Sequence, residues 1–213
     1  GIMKNNVVGT ICEDQEEARD MSYHEHMYTN ARYIDDVSGA ELDSKLVQEA
    51  RAEEIRGALR HNVYTKNRIQ LCTELTGKPP IGTRWVDVNK GDHENPDYRS
   101  RLVGKEFKGK DSNRDDLYAS TPPLEAVKMV ISMAASQHGQ TNTKKLSFID
   151  VRKAYFHAEV KRPLFVTLPP EALEPHEVGR VCGRLNFAIY GTRDAASNWE
   201  QAYSDFLVGR SEE

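Results

Sequence analysis

Apolar residues first recur at helical spacing between Asp43 and Arg60, where Val47, Ala50, Ile55 and Leu59 fall three to five positions apart. Asp43 stands just ahead with a side-chain acceptor for the first free N–H groups, so the spacing predicts a capped helix running to Arg60. From Asn62 to Gly82 no period is clear, and the stretch closes on Gly77-Lys78-Pro79-Pro80-Ile81-Gly82, a breaker cluster expected to separate this helix from the next element. Thr83–Asn89 and Tyr98–Phe107 are strand-like, and Gly91–Asp97 between them is turn-forming, which predicts a hairpin with a long loop. Thr121-Pro122-Pro123 predicts a helix start, with threonine as cap and proline where its missing N–H costs nothing; the helix should run from Leu124 to Gln137 and stop at Gly139.

Farther on, Lys145–Val151 predicts a short, mostly apolar strand that delivers Asp150 at its end. Leu164–Leu168 predicts another, closed by Pro169-Pro170, and a short turn or strand is expected over Val181–Leu185. A last helix is expected from Asp194 to Leu207, burying Trp199, Tyr203 and Phe206 or Leu207. Helices and strands mix without strict alternation, which makes the fold class α+β.

The 213 residues suffice for one sizeable core or two small ones. The longest apolar run, Met129–Ala135, is far short of the roughly 18 residues of a spanning helix. Cys12, Cys72 and Cys182 lie far apart with no CxxC spacing, which argues against a disulfide framework or zinc ribbon. The N-terminal residues lack the pattern of a secretory signal, so the expectation is an intracellular, soluble chain. Charge sharpens the picture further. Residues 1–60 carry 7 Lys/Arg against 13 Asp/Glu, a net of −6, while residues 61–213 carry 22 against 20, a net of +2. Residues 98–114 concentrate six basic groups against two acidic ones, and alternation puts Arg99, Arg101 and Lys105 on one face of the second hairpin strand.

The sharpest local signal is Asp150-Val151-Arg152-Lys153-Ala154-Tyr155-Phe156. A carboxylate leaving an apolar strand is a helix cap, a turn former or a metal ligand. Here it precedes a compact aromatic pair by five positions. That spacing suits a DNA polymerase site, where an aspartate holds divalent metal near a nucleotide and a bulky side chain occupies the place of a ribose 2′-OH.

In this order and spacing the chain resembles the reverse transcriptases of copia-type LTR retrotransposons. The resemblance runs from Trp85 to Leu207. It takes in Arg101-Leu102-Val103 with Lys105 and Phe107, then Ser120-Thr121-Pro122-Pro123 before an apolar helix, then Phe148–Phe156 and Leu164–Pro169. It ends with Arg184-Leu185 and Ile189-Tyr190-Gly191-Thr192-Arg193-Asp194-Ala195, followed by Trp199. It implies a fingers region and part of a palm. Asp150 would be the first metal-binding carboxylate, with the Val151 carbonyl on the nucleotide-side ion. Tyr155 would be the steric gate that selects deoxyribonucleotides, with Ala154 packed beside it. Arg99, Arg101 and Lys105 would face the incoming triphosphate, and Tyr190, Gly191 and Arg193 would line the nucleotide and template side. The implied cofactor is Mg²⁺, with Mn²⁺ as a substitute. The implied partners are dNTP, an RNA template, an RNA–DNA hybrid and the rest of a polyprotein with integrase and RNase H, in a cytoplasmic virus-like particle or the nucleus, with no membrane.

Under the same resemblance the chain divides into an acidic, poorly ordered leader (1–40), a linker helix region (41–78) and the polymerase fingers with part of the palm (79–213). The family completes its metal site with an aspartate pair on a hairpin downstream of the Trp199 helix, beyond Glu213. A single carboxylate does not hold two Mg²⁺ ions, so these residues by themselves should not polymerise. The alternative is a non-catalytic nucleic-acid-binding or decayed transposon-derived chain. Tyr33-Ile34-Asp35-Asp36 spells the downstream signature but precedes Asp150, and it is read as a solvated turn. Asp194 and Ala196 stand where copia-type enzymes have glutamine and proline; Asp194 adds negative charge near a phosphate-binding surface or caps the last helix. Arg152 and Lys153 touch nucleic acid or face solvent. His24-Glu25-His26 is read as surface, His157 as packed or hydrogen-bonded, and Cys182 as a small buried hydrophobe.

Overall fold

The computed structural model describes residues 32–106, 122–136 and 145–211. The order is β1 (Tyr33–Ile34), β2 (Glu41–Leu42), α1 (Ser44–Arg60), β3 (Tyr64–Arg68), α2 (Ile69–Thr76), β4 (Thr83–Asn89), β5 (Tyr98–Gly104), α3 (Leu124–Ala135), β6 (Phe165–Val166), β7 (Val181–Leu185) and α4 (Ala195–Ser211). A 3₁₀ turn, Ala154–His157, lies between α3 and β6. Helix and sheet mix as the class α+β requires.

Helix α1 begins as its sequence predicts, with Asp43 Oδ1 accepting from the Leu46 N–H at 3.0 Å. Its buried positions Val47, Glu54, Ile55 and Ala58 repeat at helical spacing and form one face, which packs on β5. The β4–β5 hairpin pairs Trp85 with Leu102 and Val86 with Arg101, in antiparallel register from Thr83–Gly104 to Asn89–Tyr98. Its long loop is folded by its own side chains. Asn89 Oδ1 accepts from Gly91 and Asp97, and Asp92 Oδ1 accepts from Glu94 and Asn95.

The second sheet has the order β3–β7–β6, all antiparallel, so the short Val181–Leu185 segment is its central strand. Ala58, Val63, Tyr64, Phe156, Leu164, Val166, Leu168, Leu185 and Ile189 form the main core against it. The breaker cluster Gly77–Gly82 is not what first follows α1, because β3 and α2 lie between them. Gly77 ends α2 in a left-handed conformation (φ 67°), and Ile81 then bridges to Val166. Backbone pairing therefore crosses the expected boundary near residue 78.

Four more expectations are revised. Residues 33–40 are folded rather than a loose leader: β1 pairs with β2, and Tyr33 and Asp35 are buried. Lys145–Val151 is not a strand. No neighbouring strand pairs with it among the described residues, and Phe148 and Ile149 are 84% and 74% exposed. The α3 cap is Pro123, without a side-chain hydrogen bond, and Leu124, Val127, Met129, Val130, Ile131 and Met133 are all exposed. Helix α4 packs by its first turns on the 3₁₀ turn, but Tyr203, Phe206 and Leu207 lie exposed beyond that support. Phe107, Arg114, Thr121, Gly139, Cys12 and His24-Glu25-His26 lie outside the described residues. No helix among the described residues is long and apolar enough to cross a membrane.

Candidate nucleotide site

The chain after Asp150 turns sharply because Lys153 adopts a left-handed conformation (φ 53°), rare for a side chain with a Cβ. The Phe156 N–H then donates to Lys153 O at 2.8 Å and starts the 3₁₀ turn that carries Ala154 and Tyr155. Phe156 points into the main core, whereas Tyr155 packs beside Ala158, Ala188 and Ala195. One residue thus anchors the turn and its neighbour faces the site.

Tyr190 meets Tyr155 edge to face, with ring centroids 4.9 Å apart, and the Arg101 guanidinium lies over the Tyr190 ring at 4.9 Å. Contacts of these kinds contribute about 0.5–1.5 kcal/mol each. Burial pushes the Tyr190 phenol up; Arg101 opposes this, while Glu54, Tyr155 and Asp150 add to it. Asp150 is exposed on the approach to the turn. Val151 is half-buried beside it. Tyr155, Tyr190 and Arg101 come together from three separate stretches of sequence, and Asp150 precedes Tyr155 by five positions.

Gly191 lets two backbones touch. With φ 78°, any Cβ there would meet the Gly104 carbonyl oxygen at 2.1 Å and Val103 Cγ1 at 2.6 Å. The Gly104 N–H donates to Tyr190 O at 2.7 Å, so the end of the hairpin is bonded directly to the Tyr190–Gly191 segment. Behind this seam Glu106 accepts from the Arg193 N–H at 2.9 Å and from Arg162 at 2.8 Å. Arg162 also donates to buried Asp194, at 2.9 Å through Nε. Burial pulls the Arg162 guanidinium down, but the hydrogen bonds to Asp194 and Glu106 outweigh it and its pKa is raised. Asp194 is thus neutralised by Arg162 rather than presented bare to a phosphate. Glu106 and Arg162 had no sequence signal, since their partners lie 87, 56 and 32 positions away.

Two of the expected triphosphate ligands are placed differently. Arg99 donates to Asp97 at 2.9 Å on the exposed loop side of the hairpin. Lys105 has left the strand; its N–H bonds Gly82 O at 2.7 Å and its side chain runs along Gly82. That backbone bond continues the Thr83–Gly104 register by one rung, just past the end of β5. Arg152 is exposed, whereas Lys153 makes an ion pair with Glu54 at 2.8 Å. His157 is exposed and contacts His61 edge-on at 5.0 Å. Cys182 is fully buried near Cys72, and burial pushes its thiol up to about 11, which keeps it a protonated core residue.

Of Tyr33-Ile34-Asp35-Asp36 the first two residues form β1 and the last two lead into the turn that follows. Asp36 is exposed there, but Asp35 is buried rather than solvated. Asp35 accepts from the Val37, Ser38 and Asn89 N–H groups, at 2.8, 2.7 and 2.7 Å. The Ser38 and Asn89 bonds, with a lesser one from Val37, hold its carboxyl down at about 2 against the effect of burial. Asp36 takes the Asp87 N–H and Arg84. Both carboxylates are committed to tying β1 to the hairpin. Among the described residues no three His, Cys, Asp or Glu side chains form a metal-binding group.

The family model for reverse transcriptase (RNA-dependent DNA polymerase) matches residues 66–212, a span that holds every residue of this site. The chain is 25% identical over 150 residues to the Retrovirus-related Pol polyprotein from transposon TNT 1-94 of Nicotiana tabacum, covering 68% of this chain and 11% of that polyprotein. It is 21% identical over 160 residues to the Transposon Ty1-DR5 Gag-Pol polyprotein of Saccharomyces cerevisiae, covering 75% and 8% respectively. The chain therefore spans about a tenth of the length of the curated relatives it matches. No solved structure matches it. With well over half its length inside the family model and its relatives among retrotransposon polyproteins, the chain belongs to the reverse transcriptase (RNA-dependent DNA polymerase) family, in its copia-type branch.

Proposed function

We propose that this chain forms the nucleotide-facing part of an RNA-directed DNA polymerase carried in a copia-type retrotransposon polyprotein. The observation that carries the reading is the meeting of Tyr155, Tyr190 and Arg101 from three stretches of sequence, with Asp150 five positions ahead of Tyr155. In the reaction a primer 3′-OH attacks the α-phosphate of a dNTP paired to an RNA template, and pyrophosphate leaves. Tyr155, held on edge by Tyr190 with Ala154 beside it, fills the space a ribose 2′-OH would need and so rejects ribonucleotides. Arg101 supplies a planar, permanently charged donor to the triphosphate. Gly191 keeps the floor of the pocket thin, and Arg193 is oriented by the Glu106 carboxylate on its N–H.

Divalent metal is the family's cofactor, and Mg²⁺, with Mn²⁺ as a substitute, is the ion we assign. Asp150 and the Val151 carbonyl contribute to its site without completing it, so the 213 residues by themselves bind nucleic acid and nucleotide rather than polymerise. RNA template, RNA–DNA hybrid and the integrase and RNase H portions of the polyprotein are the partners of this reading, within a cytoplasmic particle or the nucleus. The test is dNTP incorporation on a primed RNA template by the chain expressed with the coding sequence downstream of Glu213. Activity with Mg²⁺ or Mn²⁺ that disappears in Asp150→Ala supports the assignment. No incorporation with either ion, or activity that survives Asp150→Ala, overturns it.

A further inference from the structure

The Asp150–Tyr155 turn is braced from outside the family-matching region. Helix α1, at residues 44–60, precedes the matched span 66–212, yet Glu54 reaches Lys153 with 2.8 Å between Oε2 and Nζ. Glu54 is a buried carboxylate, its side chain 8% exposed, and Lys153 is the residue held at φ 53°. The ammonium also lies 5.4 Å from the centre of the Phe156 ring. It crosses α1 at Gly57, where any Cβ would stand 2.0 Å from Nζ, so a side chain there requires the end of the lysine to shift from its place beside Glu54. A non-glycine residue persists in the left-handed region only when its surroundings over-determine it. Here they do so through the carboxylate, the ring face and the missing side chain.

We infer that Glu54 and Lys153 are a positioning pair: the ion pair fixes the left-handed bend that aims Asp150 and Tyr155 at the nucleotide, and Gly57 is the gap that admits it. This rests on the polymerase reading for its functional consequence but not for its structural one. None of the three residues touches nucleotide. They act by setting where the Tyr155 ring stands relative to Tyr190, and hence how strictly a 2′-OH is excluded.

Amide hydrogen exchange on the 213-residue chain tests the brace, with Phe156 and Ala158 as reporters and Cys182–Leu185 of β7 as the reference for global opening. Lys153→Gly relieves the backbone while deleting the pair, Glu54→Gln removes one charge, and Gly57→Ala displaces Nζ while raising intrinsic helix propensity. The expectation is exchange at least tenfold faster at Phe156 and Ala158 in each variant, with β7 unchanged, and recovery in the charge-swapped Glu54→Lys/Lys153→Glu double variant. Unchanged exchange at the reporters, equal acceleration in β7, or no recovery on charge reversal overturns the brace. In the extended polymerase, Glu54→Gln should lower the dNTP-over-rNTP ratio of kcat/KM about three- to tenfold, with hybrid binding unaltered. An unchanged ratio overturns the positioning role. An inactive extended polymerase sinks the polymerase reading alone and leaves the exchange result to decide the brace.

Discussion

Two apolar regions of this chain meet opposite fates. Phe165 and Val166 in β6 are 2% and 1% exposed, sealed by β7 on one side and bridged by Ile81. Phe148 and Ile149 are as apolar, yet they stand 84% and 74% exposed next to the Asp150 carboxylate. Helix α3 shares their exposure along its whole length. Composition does not separate the regions. What separates them is a neighbouring strand: β6 has one among the described residues and Lys145–Val151 does not. The body that holds β6 and β7 is thus packed on itself, while among the described residues the Asp150 segment is joined to it through Lys153 and the 3₁₀ turn.

The first way to break this comparison is truncation of one phenylalanine from each region. Phe165→Ala empties a site packed against Cys72 and Cys182 and should lose about 3–5 kcal/mol in urea unfolding. Phe148→Ala should change stability by less than about 0.5 kcal/mol. A cost above about 2 kcal/mol for Phe148→Ala would show that the segment is packed, and the contrast would fail.

A second prediction targets the joint that unites the packed region. Arg51 lies between the rings of Tyr33 and Trp85, at 4.8 and 5.1 Å, and donates to Asp87 at 2.6 Å and Glu171 at 3.1 Å. Burial works against its charge, and Asp87 followed by Glu171 more than restores it. Removing one partner of such a pair strands a buried carboxylate. Arg51→Met should cost about 3 kcal/mol, the low end for a broken buried pair, because Ser100 Oγ still donates to Asp87 at 2.6 Å. A loss below about 1 kcal/mol would mean that α1 rests on the hairpin by apolar contact alone.

A third prediction uses pH on the same body. The Asp35 carboxyl is held at about 2, below its ordinary 3.8, by the Ser38 and Asn89 N–H groups above all. A depressed carboxyl stabilises the fold above its ordinary value, and that contribution is lost as pH falls toward 2. Tm measured from pH 5 to pH 2 should therefore drop, and Asp35→Asn should lower Tm at neutral pH while flattening that acid limb. An acid limb as steep in Asp35→Asn as in the parent would remove Asp35 from the account.

The same contrast explains what was legible in the sequence. Helix α1 and the β4–β5 hairpin show in local pattern, because cap, period and alternation are properties of neighbours in the chain. Strand β3 does not. Of Tyr64-Thr65-Lys66-Asn67-Arg68 only Tyr64 is buried, so an edge strand with polar side chains leaves no alternation to read. Lys145–Val151 fails in the other direction, with a strand's composition but no pairing partner among the described residues. At the site, Asp150 and Tyr155 stand out through spacing within one turn. Glu54, Glu106 and Arg162 do not, because a charged side chain on a polar face carries no sign of a partner 32 or more residues away.

The smallest predicted effect bears on the exposed side of the comparison, where binding rather than stability is at stake. Arg99 and Arg101 share a face of β5, and by charge alone they are equivalent. Their surroundings are not. Arg99 is engaged by Asp97, with both side chains largely in water, whereas among the described residues Arg101 has a ring beneath it and no carboxylate partner. A phosphate approaching Arg99 must displace Asp97, while one approaching Arg101 finds the guanidinium edge open and its face already fixed. Neutralising Arg101 should therefore weaken binding of a fluorescent RNA–DNA hybrid about three- to tenfold at low salt and reduce the slope of log K against log salt by about 1. Arg99→Ala should change affinity less than about twofold. Equal slopes for the two variants would mean that the hairpin presents a uniform charged face and that the Tyr190 contact does not single out Arg101.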